Sequence, residues 1–210
     1  MRSRQQTIGW ILVFFGVVGM AAGIAGAADR GSASIQLGAG KVSIDYGRPA
    51  LKGRTVAQLL AQLPADRMWR AGADRVTILE TTVPLEIAGK IVPAGKYSVY
   101  VHCGEDNVYS LVLNKDLGQP LKNIWSAAPP AVADQPYPHF NYSQEIADQE
   151  VLRVPMKRVV AEQPVELFTI ELQPSGDGAT LSMAWGTEHW SVDVKPAAAE
   201  GSHPEGSHRR

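Results

Sequence analysis

The chain has 210 residues, of which 45% are hydrophobic and 20% are charged, and its formal net charge is −1. This composition is typical of a globular protein rather than a disordered chain, and the length leaves room for one good core. The basic residues are scattered and form no positive stripe of the kind that binds phosphate backbones. Nucleic acid is therefore excluded as an expected partner.

The first 28 residues have the pattern of a signal peptide or an N-terminal membrane anchor. Arg2 and Arg4 precede an uncharged run over residues 5–28, which ends in small residues with a cleavage-like Ala25-Gly26-Ala27. An uncleaved run of this length is also long enough to span a membrane. Both alternatives predict export to the periplasm or the exterior, with residues 8–28 as the possible inner-membrane anchor and as the only predicted membrane contact.

Beyond the leader, apolar residues recur at every second position, which is typical of half-buried strands. The pattern covers 42–46, 83–87, 97–103, 152–156, 168–172, 181–185 and 190–194, and residues 76–79 and 108–113 are further strand candidates. We predict an all-β fold, an antiparallel β-sandwich or jelly roll, as a single domain over residues 34–195. Residues 196–210 lack an apolar pattern and are predicted to be a disordered tail.

Three segments interrupt or connect the strands. Thr55 and Gln58 have capping-box spacing before an apolar helical face that Pro64 ends, which predicts one short helix covering an end or edge of a sheet. Residues 116–138 lose the alternation and predict a long loop, either functional or mobile. Turns at 176–178 and 186–188 predict a three-stranded meander at the carboxyl end.

The order of several short motifs resembles a known family. They are Tyr46-Gly47-Arg48-Pro49, Lys52-Gly53-Arg54, Met68-Trp69-Arg70-Ala71-Gly72-Ala73-Asp74, Ile87-Ala88-Gly89-Lys90, Val92-Pro93-Ala94-Gly95-Lys96-Tyr97-Ser98 and Leu113-Asn114-Lys115-Asp116. Over about residues 34–195 the chain resembles the DUF2911 family of exported bacterial proteins of unknown function. The resemblance implies a β-rich domain and brings no activity, cofactor or catalytic residue. Relatives commonly have Gly-Ala-Asn-Glu where this chain has Gly72-Ala73-Asp74-Arg75, so a ligand role of that glutamate does not transfer.

The loop over residues 69–75 is the predicted site, because it combines an aromatic ring, guanidinium groups and a carboxylate with small residues. The ligand-binding candidates are Asp45, Arg48, Trp69, Arg70 and Asp74. In the functional interpretation Arg70 is a forked donor to an anionic or sugar-like ligand, and Trp69 is a stacking face. In the structural alternative Arg70 clamps the loop and Trp69 fills the core. Asp45 is expected on the strand face opposite Val42 and Ile44.

Other chemistry-bearing residues give weaker signals. His102, His139 and His189 have no ligand spacing, so we predict no metal, and no cofactor motif is present. The single cysteine, Cys103, is expected to be a small buried side chain at a strand end. Trp125, Tyr137, Phe140 and Tyr142 could form a wall for a glycan or peptide, or could fold the long loop back onto the sandwich.

Three functional hypotheses follow from these residues. The first is a non-catalytic exported envelope domain that binds a ligand or partner, and it is favoured because known nucleophile motifs are missing. The second is a hydrolase or a metal-dependent enzyme that uses polar residues of the 69–75 loop. The third is a structural envelope protein.

Overall fold

The computed structural model describes residues 29–198, so the predicted leader and nearly all of the predicted tail lie outside it. The strands are β1 (Asp29–Leu37), β2 (Gly40–Arg48), β3 (Met68–Trp69), β4 (Ile78–Thr81), β5 (Leu85–Ile87), β6 (Lys90–Val92), β7 (Gly95–Cys103), β8 (Tyr109–Asn114), β9 (Gln119–Pro120), β10 (Pro136–Tyr137), β11 (Glu150–Pro155), β12 (Lys157–Ser175) and β13 (Gly178–Pro196). The helices are α1 (Val56–Leu60), α2 (Leu121–Ile124) and α3 (Tyr142–Glu145), and 3₁₀ turns cover Glu105–Asn107 and Ala147–Gln149.

Two antiparallel sheets pack face to face, which confirms the predicted all-β class. The larger sheet has the order β1-β2-β4-β7-β8-β11, with β3 paired to β7 beside β4. The smaller sheet has the order β12-β13-β5-β6, and β9 pairs with β10 apart from both. Since every ladder is antiparallel, neighbouring strands need only short connections.

The apolar alternation places one set of side chains from each sheet in a shared core. Val42, Ile44 and Tyr46 on β2 and Leu181 and Met183 on β13 are all at most 3% exposed, and they belong to one apolar cluster. Burial of this kind contributes about 25 cal/mol for each Å² of apolar surface removed from water. The core between the two sheets is therefore the main source of stability.

The predicted three-stranded meander at the carboxyl end is wrong. Residues 181–185 and 190–194 belong to one continuous strand, β13, and residues 186–188 do not reverse the chain. Gly186 has a φ of +57° and lies opposite Val165, between two register shifts in the β12–β13 ladder. A left-handed glycine in such a bulge bends a strand without ending it. The result is one long bent hairpin.

The same hairpin joins the two sheets. β11 is an edge of the larger sheet, as Pro155 predicts, and the chain passes through Met156 directly into β12 of the smaller sheet. At the other edge, the segment after β2 pairs with β12: the Leu51 amide donates to the Glu166 carbonyl and the Phe168 amide donates to the Pro49 carbonyl. The sandwich is thus tied together at both edges.

The predicted helix is present as α1. The Thr55 hydroxyl accepts from the Gln58 amide at 3.2 Å, and the Gln58 side chain accepts from the Thr55 amide at 2.8 Å, so the capping box is complete. Val56 and Leu60 are buried, and Val56 lies against Gly186. The helix therefore covers the bend in β13.

Two parts of the fold differ from the sequence expectation. β1 begins at Asp29, ahead of the predicted domain start at residue 34, and pairs with β2 along its whole length. The long loop is an ordered arm, defined here as residues 115–149 between β8 and β11, and it contains β9, α2, β10 and α3. Within residues 29–198, none of the helices has the length and apolar character needed to cross a membrane.

Candidate functional site

The arm packs on the outer face of the larger sheet. Tyr142 and Ile146 are buried against Met68, Tyr100 and Val112, which point away from the main core because strand residues alternate between faces. The rings of Tyr100 and Tyr142 meet edge to face with centroids 4.8 Å apart. This second apolar cluster fixes the carboxyl half of the arm on the sheet.

Polar bonds reinforce the attachment. Asn114 is fully buried, and its side-chain amide donates to the Tyr142 hydroxyl at 3.0 Å and to the Ile146 carbonyl at 2.7 Å. Its side-chain oxygen accepts from the Asp116 amide at 2.8 Å. The Asp66 carboxylate accepts from the Ser143 amide at 3.1 Å. Buried amide groups that are fully paired specify one arrangement, so the base of the arm has a defined position.

One hydroxyl beneath the arm lacks such a partner. Tyr100 is 3% exposed, and its hydroxyl has no hydrogen bond to any residue between 29 and 198. Burial raises its pKa and the charges of Asp116 and Tyr142 raise it further, whereas Arg70 and the nearby hydroxyl of Ser98, which donates to the Asn114 carbonyl at 3.4 Å, lower it. The charged side chains of Asp116 and Arg70 are therefore close to the phenol. Burying a hydroxyl without a hydrogen bond costs about 1–3 kcal/mol of folding free energy. This hydroxyl is therefore an unfavourable feature of the arm-facing side of the sheet that calls for an explanation.

Arg70 lies at the edge of the same region. Its side chain is exposed and, among the described residues, makes neither a hydrogen bond nor an ion pair. Trp69 points into the core, so the strand alternation directs Arg70 to the arm side. A free guanidinium next to a buried hydroxyl offers five donors in a fixed plane.

A histidine connects two carboxylates above this region. The Nδ1 atom of His139 lies 2.6 Å from the Glu145 carboxylate, and the Nε2 atom lies 3.3 Å from the Asp116 carboxylate. The Nδ1 contact is a hydrogen bond, and the Nε2 contact brings the ring close to a second carboxylate. The hydrogen bond from His139 lowers the pKa of Glu145. We call Arg70, Tyr100, Asp116 and His139 the arm site.

Of the five residues predicted from sequence, Asp45 and Asp74 lie around the same arginine, Arg30, whereas Trp69 and Arg48 lie elsewhere. Trp69 is 7% exposed and stacks on Trp185 with ring centroids 5.3 Å apart, next to Phe168 and Trp190. It therefore occupies the interior of the sandwich, where a ligand would have to displace the core. Of the two interpretations of Trp69, the geometry matches the core-filling one.

Asp45 and Asp74 belong to a charged cluster at the amino end of β1. Asp45 is on the outer strand face, as expected, and pairs with Arg30. Arg30 also approaches the carbonyls of Arg75 and Val76 at 3.5 Å. Burial and the charge of Arg75 lower the pKa of Arg30, while Asp74 opposes that change. This cluster fixes the 71–76 loop to β1 and β2.

Arg48 lies in a polar groove of about 570 Å³ between β1 and β12. Its Nε atom donates to the Phe168 carbonyl at 3.4 Å, and its Nη2 atom donates to the Thr169 hydroxyl at 3.2 Å. The neighbouring Tyr46 hydroxyl donates to the Ile170 carbonyl at 3.2 Å. These side chains satisfy the unpaired edge of β12, so the contacts of Arg48 are those of a clamp between the sheets.

Cys103 is 2% exposed, and burial raises its pKa to about 12, so the thiol stays protonated at neutral pH. No set of three or more histidine, cysteine, aspartate or glutamate side chains within the described chain could hold a metal ion. His102 precedes Cys103 at the carboxyl end of β7, and His189 lies on the smaller sheet.

The four aromatic residues of the long loop differ in their exposure to solvent. Tyr142 is buried under the arm and Tyr137 is half-buried in β10, whereas Trp125 is 50% exposed and Phe140 is 67% exposed.

Sequence reasoning missed Asp116 and Glu145 as partners of His139. The available signal was the Leu113-Asn114-Lys115-Asp116 motif, which places a carboxylate at the base of a segment rich in aromatic residues.

The comparisons with known proteins agree with the fold. The model of the family described as "Protein of unknown function (DUF2911)" matches residues 29–194, which begin at the first residue of β1 and end within β13. No curated protein and no solved structure matches the chain. The match covers most of the sequence, including both sheets and the arm, and the chain therefore belongs to the DUF2911 family.

Proposed function

We propose that this protein is an exported, non-catalytic binding domain whose arm site takes a small polyhydroxyl ligand such as a sugar. The observation that carries the proposal is the unpaired hydroxyl of buried Tyr100, which lies within electrostatic range of the exposed guanidinium of Arg70. A polar group without a partner at such a position is a binding-site candidate, because a ligand hydroxyl can supply the missing hydrogen bond.

The donors and acceptors of the arm site suit adjacent hydroxyl groups. Arg70 presents several donors, Asp116 presents acceptors, and the Tyr100 hydroxyl can do both. Phe140 follows His139 directly and exposes two thirds of its surface, which offers an apolar ring of the kind that packs against a sugar face. Because the Tyr100 hydroxyl is shielded from solvent and Arg70 is exposed, the ligand meets Arg70 first.

The histidine of the arm site and the single thiol are both poorly placed for catalysis, which supports a binding function. His139 has a carboxylate on each ring nitrogen, so neither nitrogen is free to accept a proton from a nucleophile. The only thiol is buried and protonated. Export is proposed from the leader pattern in the sequence.

Titration calorimetry with N-acetylglucosamine, D-glucose and inorganic phosphate tests the proposal. We expect heat from at least one sugar and at least tenfold weaker binding by Arg70→Gln and Tyr100→Phe, since hydrogen bonds to charged groups contribute about 1.5–3 kcal/mol. Lys157→Gln, which removes one positive charge from the smaller sheet, is the matched control and should bind as the wild type does. Binding of phosphate alone, or sugar binding unaffected by both arm-site variants, would refute the assignment.

The cellular location has a separate test. Fractionation of cells that produce the full chain should place it outside the cytoplasm. The mass of its amino terminus then separates cleavage near residue 27 from a retained anchor. Recovery of the uncleaved chain in the cytoplasm contradicts export.

A further inference from the structure

We infer that His139 is a protonation-dependent pin that holds the arm closed over the arm site. The inference rests on the proposed function only where it concerns ligand binding at the arm site. The pin itself is a property of the fold. Three elements meet at the ring: the turn after β8 supplies Asp116, α3 supplies Glu145, and β9 supplies the uncharged amide of Gln119 at 3.4 Å.

A charged ring makes both contacts attractive: the Nδ1 contact with Glu145 is a hydrogen bond, and the Nε2 contact with Asp116 at 3.3 Å is an ion pair when the ring is protonated. A neutral imidazole donates from one nitrogen and accepts at the other, and an ionised carboxylate cannot donate to the accepting nitrogen. Loss of one proton therefore breaks one of the two links and leaves a lone pair facing a carboxylate oxygen. The ring of His139 and the side chain of Asp116 are 16% and 20% exposed, so the pin is only partly screened by water.

The position of the ring decides what the pin holds. Asp116 stands at the beginning of the arm, where its side chain also accepts from the Gly118 amide at 2.8 Å. Glu145 lies in the part that Tyr142 and Ile146 anchor in the second apolar cluster. His139 bridges the two, and the strand pair of β9 and β10 lies between the bridged points in sequence. Breaking the bridge frees the span between them.

The remaining attachment of that span is small. The Val76 amide donates to the Pro136 carbonyl at 3.0 Å, and Leu121 and Pro138 are the buried residues of the span. Most other side chains of residues 117–135 are exposed or half-exposed. Segments with few buried apolar contacts open at low free-energy cost, so a single ion-paired bridge is a large share of what keeps the span closed.

The direction in which pH changes the stability of the closed arm follows from the histidine and the carboxylate groups. The stabilisation from His139 is present while its ring is protonated and is lost as rising pH removes that proton. The pKa of Glu145 is lowered by its hydrogen bond to His139, so its contribution is present above the usual glutamate range and is lost as the pH falls through the lowered value. We therefore expect the arm to be more tightly closed in mildly acidic than in mildly alkaline solution.

Amide hydrogen exchange of the full chain at pH 5.5 and 8.0, corrected for intrinsic exchange rates, tests the pin without any ligand. We expect the protection of amides in residues 117–141 to fall about fivefold at the higher pH, the size of a modest ion-pair contribution. His139→Gln should give low protection and no pH response. His189→Gln, which removes a histidine from the smaller sheet, should respond as the wild type does. A wild-type arm with equal protection at both pH values, or a response that survives in His139→Gln, overturns the inference.

Calorimetry with N-acetylglucosamine at the same two pH values separates this inference from the proposed function. Stronger binding at pH 8.0 in the wild type, with no pH effect in His139→Gln, supports gating of the arm site. If hydrogen exchange depends on pH as expected but no sugar binds at either pH, the proposed function is overturned and the inference about His139 stands. Sugar binding that is equal at both pH values, with a confirmed exchange response, overturns gating alone.

Discussion

Gly47 allows the 71–76 loop to lie directly against β2, and replacing it with alanine is a sharp test of this packing. Gly47 is buried in β2 beside the 71–76 loop. A methyl group there would stand 2.9 Å from the carbonyl carbon and the amide nitrogen of Ala73, and closer still to the carbonyl oxygen. Ordinary contact begins at 3.4 Å, so the loop must retreat by about 1 Å. Every obstructing atom is backbone and none can rotate away.

The expected loss of stability is about 3 kcal/mol, at the upper end of overpacking costs because the contact is with backbone. For a domain of this size it lowers the Tm by roughly 9 °C. Urea denaturation followed by tryptophan fluorescence measures it, since Trp69, Trp185 and Trp190 are all in the core. Gly53→Ala is the control: no atom lies within 4 Å, and only the φ of +77° opposes alanine, at a cost of about 1 kcal/mol. A Gly47→Ala protein as stable as the Gly53→Ala protein would refute this account of the loop.

Three further predictions concern single contacts. Asn114→Ala removes the buried amide that joins β8 to the arm, and it should cost about 3 kcal/mol in urea denaturation because it leaves buried polar groups unpaired; a loss below about 1 kcal/mol would contradict that role. Thr55→Ala removes half of the capping box and should cost about 1 kcal/mol, whereas an unchanged midpoint would show that α1 is held by packing alone. Cys103 should not react with a thiol reagent at pH 8 until the protein unfolds, because burial raises its pKa to about 12, and rapid labelling of the folded protein would disprove the burial.

Much of the fold was predictable because one physical signal, the alternation of apolar residues, repeats along the chain. It identified the core side of β2, β7, β11 and β13, and the capping residues identified α1. It failed for β1, whose residues 31–34 read Gly-Ser-Ala-Ser and bury little apolar surface, so the strand depends on its pairing with β2. It also failed at Gly186, because a glycine that bends a strand and a glycine that ends one look alike in sequence.

The candidate site was harder to predict because it depends on long-range approach. His139 meets Asp116 across 23 positions of irregular chain, and no spacing rule relates them. Trp69 and Arg70 were identified together, yet Trp69 ends β3 and is buried in the core, whereas Arg70 directly follows the strand and is exposed. One is in the aromatic core and the other borders the arm. Composition indicates which residues can do chemistry, but strand register decides which of them meet.

The clamp formed by Tyr46 and Arg48 also bears on how the folded molecule resists self-association. A sheet edge with free carbonyls can recruit a strand from another molecule and seed aggregates. Along β12 the carbonyls of Phe168 and Ile170 already accept from these two side chains. Gly31 of β1 lies close above both of them, where any side chain would collide with the tyrosine ring. An incoming strand would have to displace a phenol and a guanidinium to bond these two carbonyls, so this stretch of the β12 edge is protected from templated growth.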